Sequence, residues 1–212
     1  MCPLVDRLLA GDLPGAEATY HALAEGLPPA QVVGRLVEPA LTEIGDRWFR
    51  GQCAVYQERV ATSFLRGKIS ALWDLARTTN DRPRGTALLA ALQGERHEGG
   101  VLICGLMLEL AGCRAVMLGV DLPVAEIQGA IDAWRPGAVG VSFVLSRNIN
   151  NRFAELGRLR GAPILIGGRS ILNHQRLARH HGLTPLPGRC RGRRGTRQDL
   201  HRGKHRLRPV PD

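Results

Sequence analysis

The sequence lacks the features that mark secreted, disulfide-stabilised or membrane-spanning proteins. Phe, Trp and Tyr make up only 4% of its 212 residues, and no two of the five cysteines are separated by two residues. This spacing favours neither a disulfide framework nor a zinc knuckle, so we expect reduced cysteines that pack in the core. No apolar run approaches the roughly 18 residues that span a bilayer. The N-terminus has no secretion leader, and the sequence predicts a cytoplasmic protein without a membrane segment.

The net charge of +10 is unevenly distributed. Residues 187–212 hold nine Arg or Lys against two Asp, a contribution of +7, which leaves +3 for residues 1–186. This basic tail has almost no apolar periodicity and is expected to be disordered. It could bind an anionic partner, although charge runs are more often simply solvated. An arginine-rich end can also arise from a shifted reading frame, in which case its charge carries no functional information.

Residues 1–79 have the apolar spacing of helices. Glycines predict the ends of the first three helices, at Gly11, Gly26 and Gly51, and a fourth helix is predicted from about residue 54 to residue 77. Pro39 predicts a disturbance inside the third helix. Because the connections are short, an antiparallel four-helix bundle is the economical arrangement.

A polar linker at residues 80–85 precedes a region, residues 86–186, where apolar strands alternate with helices. The predicted strands are Thr86–Leu92, Arg114–Leu118, Ala138–Phe143 and Pro163–Ile166. These runs are too apolar to have a wet face, which indicates a parallel sheet covered on both sides. We therefore predict an α/β, flavodoxin-like (Rossmann-like) domain. Pro185, with Pro187 directly after the stretch, argues against a fifth strand at residues 183–186.

The carboxyl ends of the first, third and fourth strands are expected to meet at one edge of this sheet, where such folds bind ligands. The side chains at these ends suit a metal or cofactor site, because an imidazole can bind a metal through one nitrogen while a carboxylate orients the other. The ends carry Glu95-Arg96-His97-Glu98, Ser142-Phe143-Val144 and Gly167-Gly168. Taken singly, each end has a plainer interpretation: a solvated histidine, a satisfied core hydroxyl and an ordinary turn.

Together the three segments resemble a known signature. The pattern reads Glu95-x-His97-x-x-Gly100, then 41 residues, then Ser142-x-Val144, then Gly167-Gly168. It is similar to the cobalamin-binding signature of methionine synthase, corrinoid methyl carriers, cobalamin-dependent mutases and cobalamin-dependent light-sensing regulators. The departures are glutamate for the commoner aspartate and valine for the commoner leucine, and both keep the chemistry.

The resemblance implies how these residues would hold cobalamin. His97 would replace dimethylbenzimidazole as the lower axial ligand of cobalt, and Glu95 would orient it. Ser142 and the glycine pair would line the slot for the displaced nucleotide tail. The remaining predicted cofactor contacts from these segments are Arg96, Glu98, Gly100 and Val144.

The helical half sharpens the resemblance, which extends over about residues 3–180. Trp48, a further nine residues and then Glu58 resemble the bundle cap of the light-sensing regulators, as does Leu118-Gly119-x-Asp121-x-Pro123 in the second half. In that cap a tryptophan packs over the upper ligand of cobalt and a glutamate contacts an adenosyl group. The resemblance implies adenosylcobalamin rather than methylcobalamin. The plainer interpretations are a core anchor for Trp48 and a solvated helix residue for Glu58.

Two positions depart from the light-sensing pattern. Relatives that form a second cobalt–histidine bond after photolysis carry histidine directly after the tryptophan, where this chain has Phe49. A histidine often follows the cap glutamate as well, where this chain has Arg59. We therefore predict no bis-histidine photoproduct through the usual position. Phe49 instead resembles the apolar caps that shield the upper ligand in methionine synthase.

The sequence thus favours a non-catalytic cobalamin-binding sensor that acts through a protein partner or as a homo-oligomer, with light as a candidate signal. Direct DNA binding is expected only through the basic tail, because the bundle begins by about Pro3 and leaves no room for a helix-turn-helix. The alternative is a corrinoid carrier subunit of a methyltransferase system. A flavodoxin-like domain without cobalamin would require the three-part signature to be accidental.

Overall fold

The computed structural model describes residues 2–144 and 148–186, so the predicted basic tail lies outside the described residues. The N-terminal part is helical and is followed by alternating strands and helices, as predicted. The helices before the sheet are α1 (Pro3–Ala10), α2 (Leu13–Ala24), α3 (Pro29–Val32), α4 (Glu38–Phe49) and α5 (Val55–Thr79).

The disturbance predicted at Pro39 is a π-helical segment, Val33–Val37, that joins α3 to α4 without a break. Proline has no amide hydrogen, and its ring crowds the carbonyl one turn earlier, so the helix widens just before it. Because α3, this segment and α4 form one continuous helix, the bundle consists of the four helices that the sequence predicts.

The sheet is parallel, with strand order β2-β1-β3-β4-β5. This is the flavodoxin order, whose topological switch point lies between β1 and β3. The strands are β1 (Thr86–Leu92), β2 (Arg114–Leu122), β3 (Ala138–Ser142), β4 (Ile164–Gly167) and β5 (Thr184–Pro185). The helices are α6 (Gly99–Leu110), α7 (Val124–Trp134), α8 (Ile149–Leu156) and α9 (Gln175–His180).

Two strands differ from expectation. A fifth strand exists despite its proline, because β5 is a two-residue edge strand that pairs only with β4, where a missing amide hydrogen is tolerated. Strand β2 continues past its predicted end at Leu118 to Leu122. It does so through register shifts against β1 and a left-handed Gly119, with φ of 118°, which apolar periodicity cannot anticipate.

The bundle and one face of the sheet share a continuous apolar core. Trp73 of α5 packs directly on Gly105 of α6, where an added Cβ would overlap the indole ring. The opposite face of the sheet is covered by a second cluster that includes Phe143 and Phe153. Both faces are therefore buried, as predicted, while the domain boundary at residues 80–85 stays a prediction. No helix in the described ranges is long and apolar enough to cross a membrane.

Candidate functional site

The loop between β1 and α6 places Glu95 beneath His97. Glu95 is fully buried, with an exposed fraction of 0%, while the His97 side chain is 55% exposed. Nδ1 of His97 is hydrogen bonded to Oε1 of Glu95. This hydrogen bond raises the pKa of His97, and partial burial of the ring opposes it. With Nδ1 engaged by the carboxylate, Nε2 is the ring nitrogen left for a metal.

The same carboxylate ties β1 to β3 at the switch point. Oε2 of Glu95 accepts a hydrogen bond of 2.8 Å from the amide of Val144, two residues after β3. The carbonyl of Val144 in turn accepts a bond of 2.5 Å from the hydroxyl of Ser170, after β4. The structure thus brings together the three strand ends that the sequence singles out, with Glu95 at their centre.

The glycines of the signature differ in what they do for the chain itself. Gly168 has φ of 104°, and an added Cβ would overlap the carbonyl of Phe143, so the chain needs glycine there whatever binds. At Gly167 an added Cβ would lie 3.9 Å from its nearest neighbour, Leu186, which is ordinary contact. At Gly100 an added Cβ would be 3.1 Å from Oγ of Ser142, so these two residues face each other closely. The plain turn interpretation therefore explains Gly168 but not Gly167.

Arg96 and Glu98, two further residues with predicted cofactor contacts, have charged partners within the protein. The Arg96 side chain is 83% exposed and lies 3.6 Å from the carboxylate of Asp121. Glu98 forms an ion pair with Arg66 of α5, which links the loop to the bundle. In the described structure these two side chains thus have ionic partners outside the Glu95–His97 pair.

The cap residues lie at the end of the bundle. Trp48 is 49% exposed and Phe49 is 74% exposed, so the core-anchor interpretation of Trp48 is wrong: α4 buries Ala40 and Ile44 instead. The Glu58 side chain is only 20% exposed and accepts a hydrogen bond from Thr62. The charge of Arg59 lowers the pKa of His97, and the charge of Glu58 raises it. The start of α5 therefore lies close enough to His97 for its charges to affect the imidazole.

Asp121 and Arg152 also contact the histidine loop, and sequence reasoning did not place them in the site. Asp121 stood in a resembling motif without a role. Arg152 lies on α8, far along the chain, and no sequence signal connects it with the loop. Oδ1 of Asp121 accepts a 2.6 Å bond from the amide of Gly94, and Nη2 of Arg152 donates a 2.9 Å bond to the carbonyl of Gln93.

Comparison with known proteins identifies this architecture. Residues 3–72 match the B12 binding domain family. The HTH-type transcriptional repressor CarH of Myxococcus xanthus is 32% identical over 180 residues, covering 81% of this chain and 59% of the repressor. CarA of the same organism is 36% identical over 141 residues, covering 64% of this chain and 46% of that protein.

The chain is thus similar to the B12 binding domain family over residues 3–72 and to the two repressors over a longer stretch. It spans about half the length of the repressors that it matches. The structure of Methanosarcina barkeri monomethylamine corrinoid protein has the same fold, with a TM-score of 0.69 at 17% identity, covering 86% of this chain and 89% of that one.

The donor set suits a B12 cofactor better than a bare ion. Among residues 2–144 and 148–186, no group of three or more His, Cys, Asp or Glu side chains could hold a metal. A single imidazole is enough for a metal that arrives with a macrocycle occupying its equatorial positions, as in haem proteins. His97, with its second nitrogen fixed by a buried carboxylate, meets that requirement.

Proposed function

We propose that this protein is a cobalamin-responsive sensor that passes its signal to a protein partner or to further copies of itself. The observation that carries the proposal is the half-exposed His97 imidazole, fixed through Nδ1 by buried Glu95 at the switch point of the sheet. The proposal draws its regulatory part from the repressors CarH and CarA, to which the chain is related. A cytoplasmic location belongs to the same proposal.

In this proposal His97 is the lower axial ligand. Glu95 holds the tautomer in which Nδ1 carries the proton and Nε2 presents its lone pair, and the Val144 amide fixes the carboxylate in turn. Gly167 leaves backbone open for the nucleotide tail, Gly100 lets Ser142 approach closely, and Ser142 offers the tail a hydroxyl. Cobalamin, when bound, supplies a cobalt centre with a breakable bond to its upper ligand.

Trp48, Phe49 and Glu58 would cover that upper ligand. Exposed aromatic rings and a carboxylate acceptor suit a nucleoside, whose base can pack on a ring and whose ribose can donate hydrogen bonds. This pairing supports adenosylcobalamin over methylcobalamin. If light removes the upper ligand, these side chains lose their contact, which shifts the balance between two arrangements of the protein.

One observation favours a second function, a corrinoid carrier of methyl groups. Phe49 is 74% exposed and apolar at the position where light-sensing relatives carry histidine. An apolar side chain can shield a methyl group on cobalt and cannot bind the metal after the group leaves. The two functions differ in the upper ligand that they require.

The deciding experiment is reconstitution in the dark with adenosylcobalamin and, separately, with methylcobalamin. A sensor is expected to bind the adenosyl form more tightly and to change its mass in solution on illumination. Hydroxocobalamin, which has no cobalt–carbon bond to break, is the control for direct effects of light. Tighter binding of methylcobalamin without a change in mass would favour the carrier, and failure to bind any cobalamin would contradict both functions.

A further inference from the structure

Two polar side chains from other elements form hydrogen bonds with the backbone of the loop that carries His97. Asp121, near the end of β2, accepts a 2.6 Å bond from the amide of Gly94 and donates its own amide to the carbonyl of Glu95 at 3.1 Å. Arg152, on α8, donates to the carbonyl of Gln93 at 2.9 Å. Three consecutive residues of the loop are therefore fixed by side chains or backbone outside it, and His97 lies two positions after the last of them.

The backbone at Asp121 is bent in a way that serves this contact. Asp121 has φ of 60°, in the left-handed region that glycine adopts most easily. The register shifts between β1 and β2 bring this bend alongside the loop, where Leu122 also accepts a 2.8 Å bond from the amide of Gln93. Aspartate adopts this region more readily than most residues, and here the bend lets its carboxylate accept the bond from Gly94.

Arg152 is fitted closely beneath the turn. Its Nη2 lies 3.0 Å from the position that a Cβ on Gly94 would take. Its Nη1 is buried without a hydrogen-bond partner in the described part of the chain, a cost that the bond from Nη2 to Gln93 helps to offset.

An open pocket beside the loop explains why these contacts matter. It has a volume of about 340 Å³ and is lined in part by Leu92, Gly94, Asn151 and Arg152. Because of this pocket, the loop lacks packed side chains against this side. Hydrogen bonds from Asp121 and Arg152 support it instead. Metal–ligand bonds tolerate displacements of only about 0.2 Å, so a loop that settled toward the pocket would misplace the imidazole.

We propose that Asp121 and Arg152 are positioning residues that hold His97 in the position required to bind cobalt. The proposal rests on the cobalamin-binding function proposed above. Neither residue contacts the metal; both act through the Gln93–Glu95 backbone.

The test uses the full-length protein loaded with cobalamin and reduced to the cobalt(II) state. One axial nitrogen-14 splits each cobalt line of the electron paramagnetic resonance spectrum into three, whereas nitrogen-15 splits it into two. Protein labelled uniformly with nitrogen-15 therefore shows a doublet when His97 is the ligand and a triplet when the cofactor's own base is. The doublet reports coordination by a protein nitrogen, and its loss in His97→Ala assigns that nitrogen to His97, because the chain has seven histidines.

Asp121 allows a matched pair of variants. Asp121→Gly keeps the left-handed backbone and loses the acceptor, and we expect it to lose most of the doublet and to bind cobalamin about tenfold or more weakly. Asp121→Asn keeps both the backbone preference and an acceptor oxygen, and we expect it to retain the doublet. Thermal unfolding of both variants without cofactor checks that each is folded.

Arg152 gives an independent pair. Arg152→Met removes the donor and is expected to lose doublet intensity, whereas Arg152→Lys can still donate to Gln93 and should retain more of it. Folded Asp121→Gly and Arg152→Met proteins with the wild-type doublet and affinity would overturn the inference. A wild-type protein without any doublet would instead overturn His97 as the ligand, so the two failures are distinguishable.

Discussion

Glu95 and His97 lie two residues apart in one loop, yet the carboxylate is fully buried and the imidazole that it holds is half-exposed. The burial of Glu95 is compensated on both oxygens, by His97 Nδ1 and by the Val144 amide. A buried carboxylate with both oxygens engaged is a rigid support for the ring above it.

Replacing this support should weaken the cofactor site. Glu95→Gln turns one oxygen into an amide group, so a donor would face either the Val144 amide or the Nδ1 proton. We expect cobalamin affinity to fall about tenfold or more, as for other residues that orient a metal ligand. Equilibrium titration with cobalamin measures this loss.

Asp74→Asn is the control, because Asp74 is exposed toward the end of α5 opposite Glu58. It removes one carboxylate charge away from the loop and should leave cobalamin affinity close to wild type. Equal losses in the two variants would show that net charge, and not support of the imidazole, is what matters.

The glycine pair after β4 separates packing from ligand binding. Gly168→Ala should destabilise the protein before any cofactor is added, because its Cβ would overlap Phe143 and its φ is 104°. Gly167→Ala has room within the protein and should leave unfolding without cofactor within about 0.5 kcal/mol of wild type, the usual range for a substitution without new clashes.

If Gly167 lines the slot for the nucleotide tail, its alanine variant should bind cobalamin more weakly. Its affinity for cobinamide, which lacks the tail, should change little. Unchanged cobalamin binding by folded Gly167→Ala would remove this residue from the site.

The sequence predicts the sheet, its switch point and the meeting of Glu95, His97 and Val144, because apolar runs and strand order determine where parallel strands end. It does not predict the contribution of Asp121 or Arg152. Their contacts depend on a left-handed residue, a register shift and a helix distant in sequence, none of which leaves a periodic signal. Nor does it predict the nearness of the exposed Arg96 side chain to Asp121, and the contact of Arg96 with the cofactor stays a prediction.

The core shared by the bundle and the sheet predicts that alanine has different effects on stability at two helical glycines. Gly105→Ala would force a methyl group into the Trp73 ring and should destabilise the protein by about 1–3 kcal/mol, the usual cost of overpacking. Gly67→Ala on exposed α5 backbone meets nothing within 4 Å and should stabilise the helix by about 0.5–1 kcal/mol. Urea unfolding of both variants tests the shared core, and equal effects would argue against it.

If the protein senses light, as proposed above, photolysis should leave cobalt without a second histidine ligand. Phe49 occupies the position that provides this ligand in relatives, so the photolysed wild-type protein should show no bis-imidazole cobalt spectrum. Phe49→His is expected to gain that spectrum. A bis-imidazole species in the wild type that disappears in His21→Ala would contradict this, since His21 lies on α2 and pairs with Glu17.

The most direct measurement of the central claim compares wild-type and His97→Ala proteins, each incubated with adenosylcobalamin in the dark. The wild type should show the absorption spectrum of cobalamin whose own base is displaced and replaced by histidine. His97→Ala should lose that spectrum or most of the affinity, while His21→Ala should keep both. Retention of the spectrum and the affinity by His97→Ala would contradict the account.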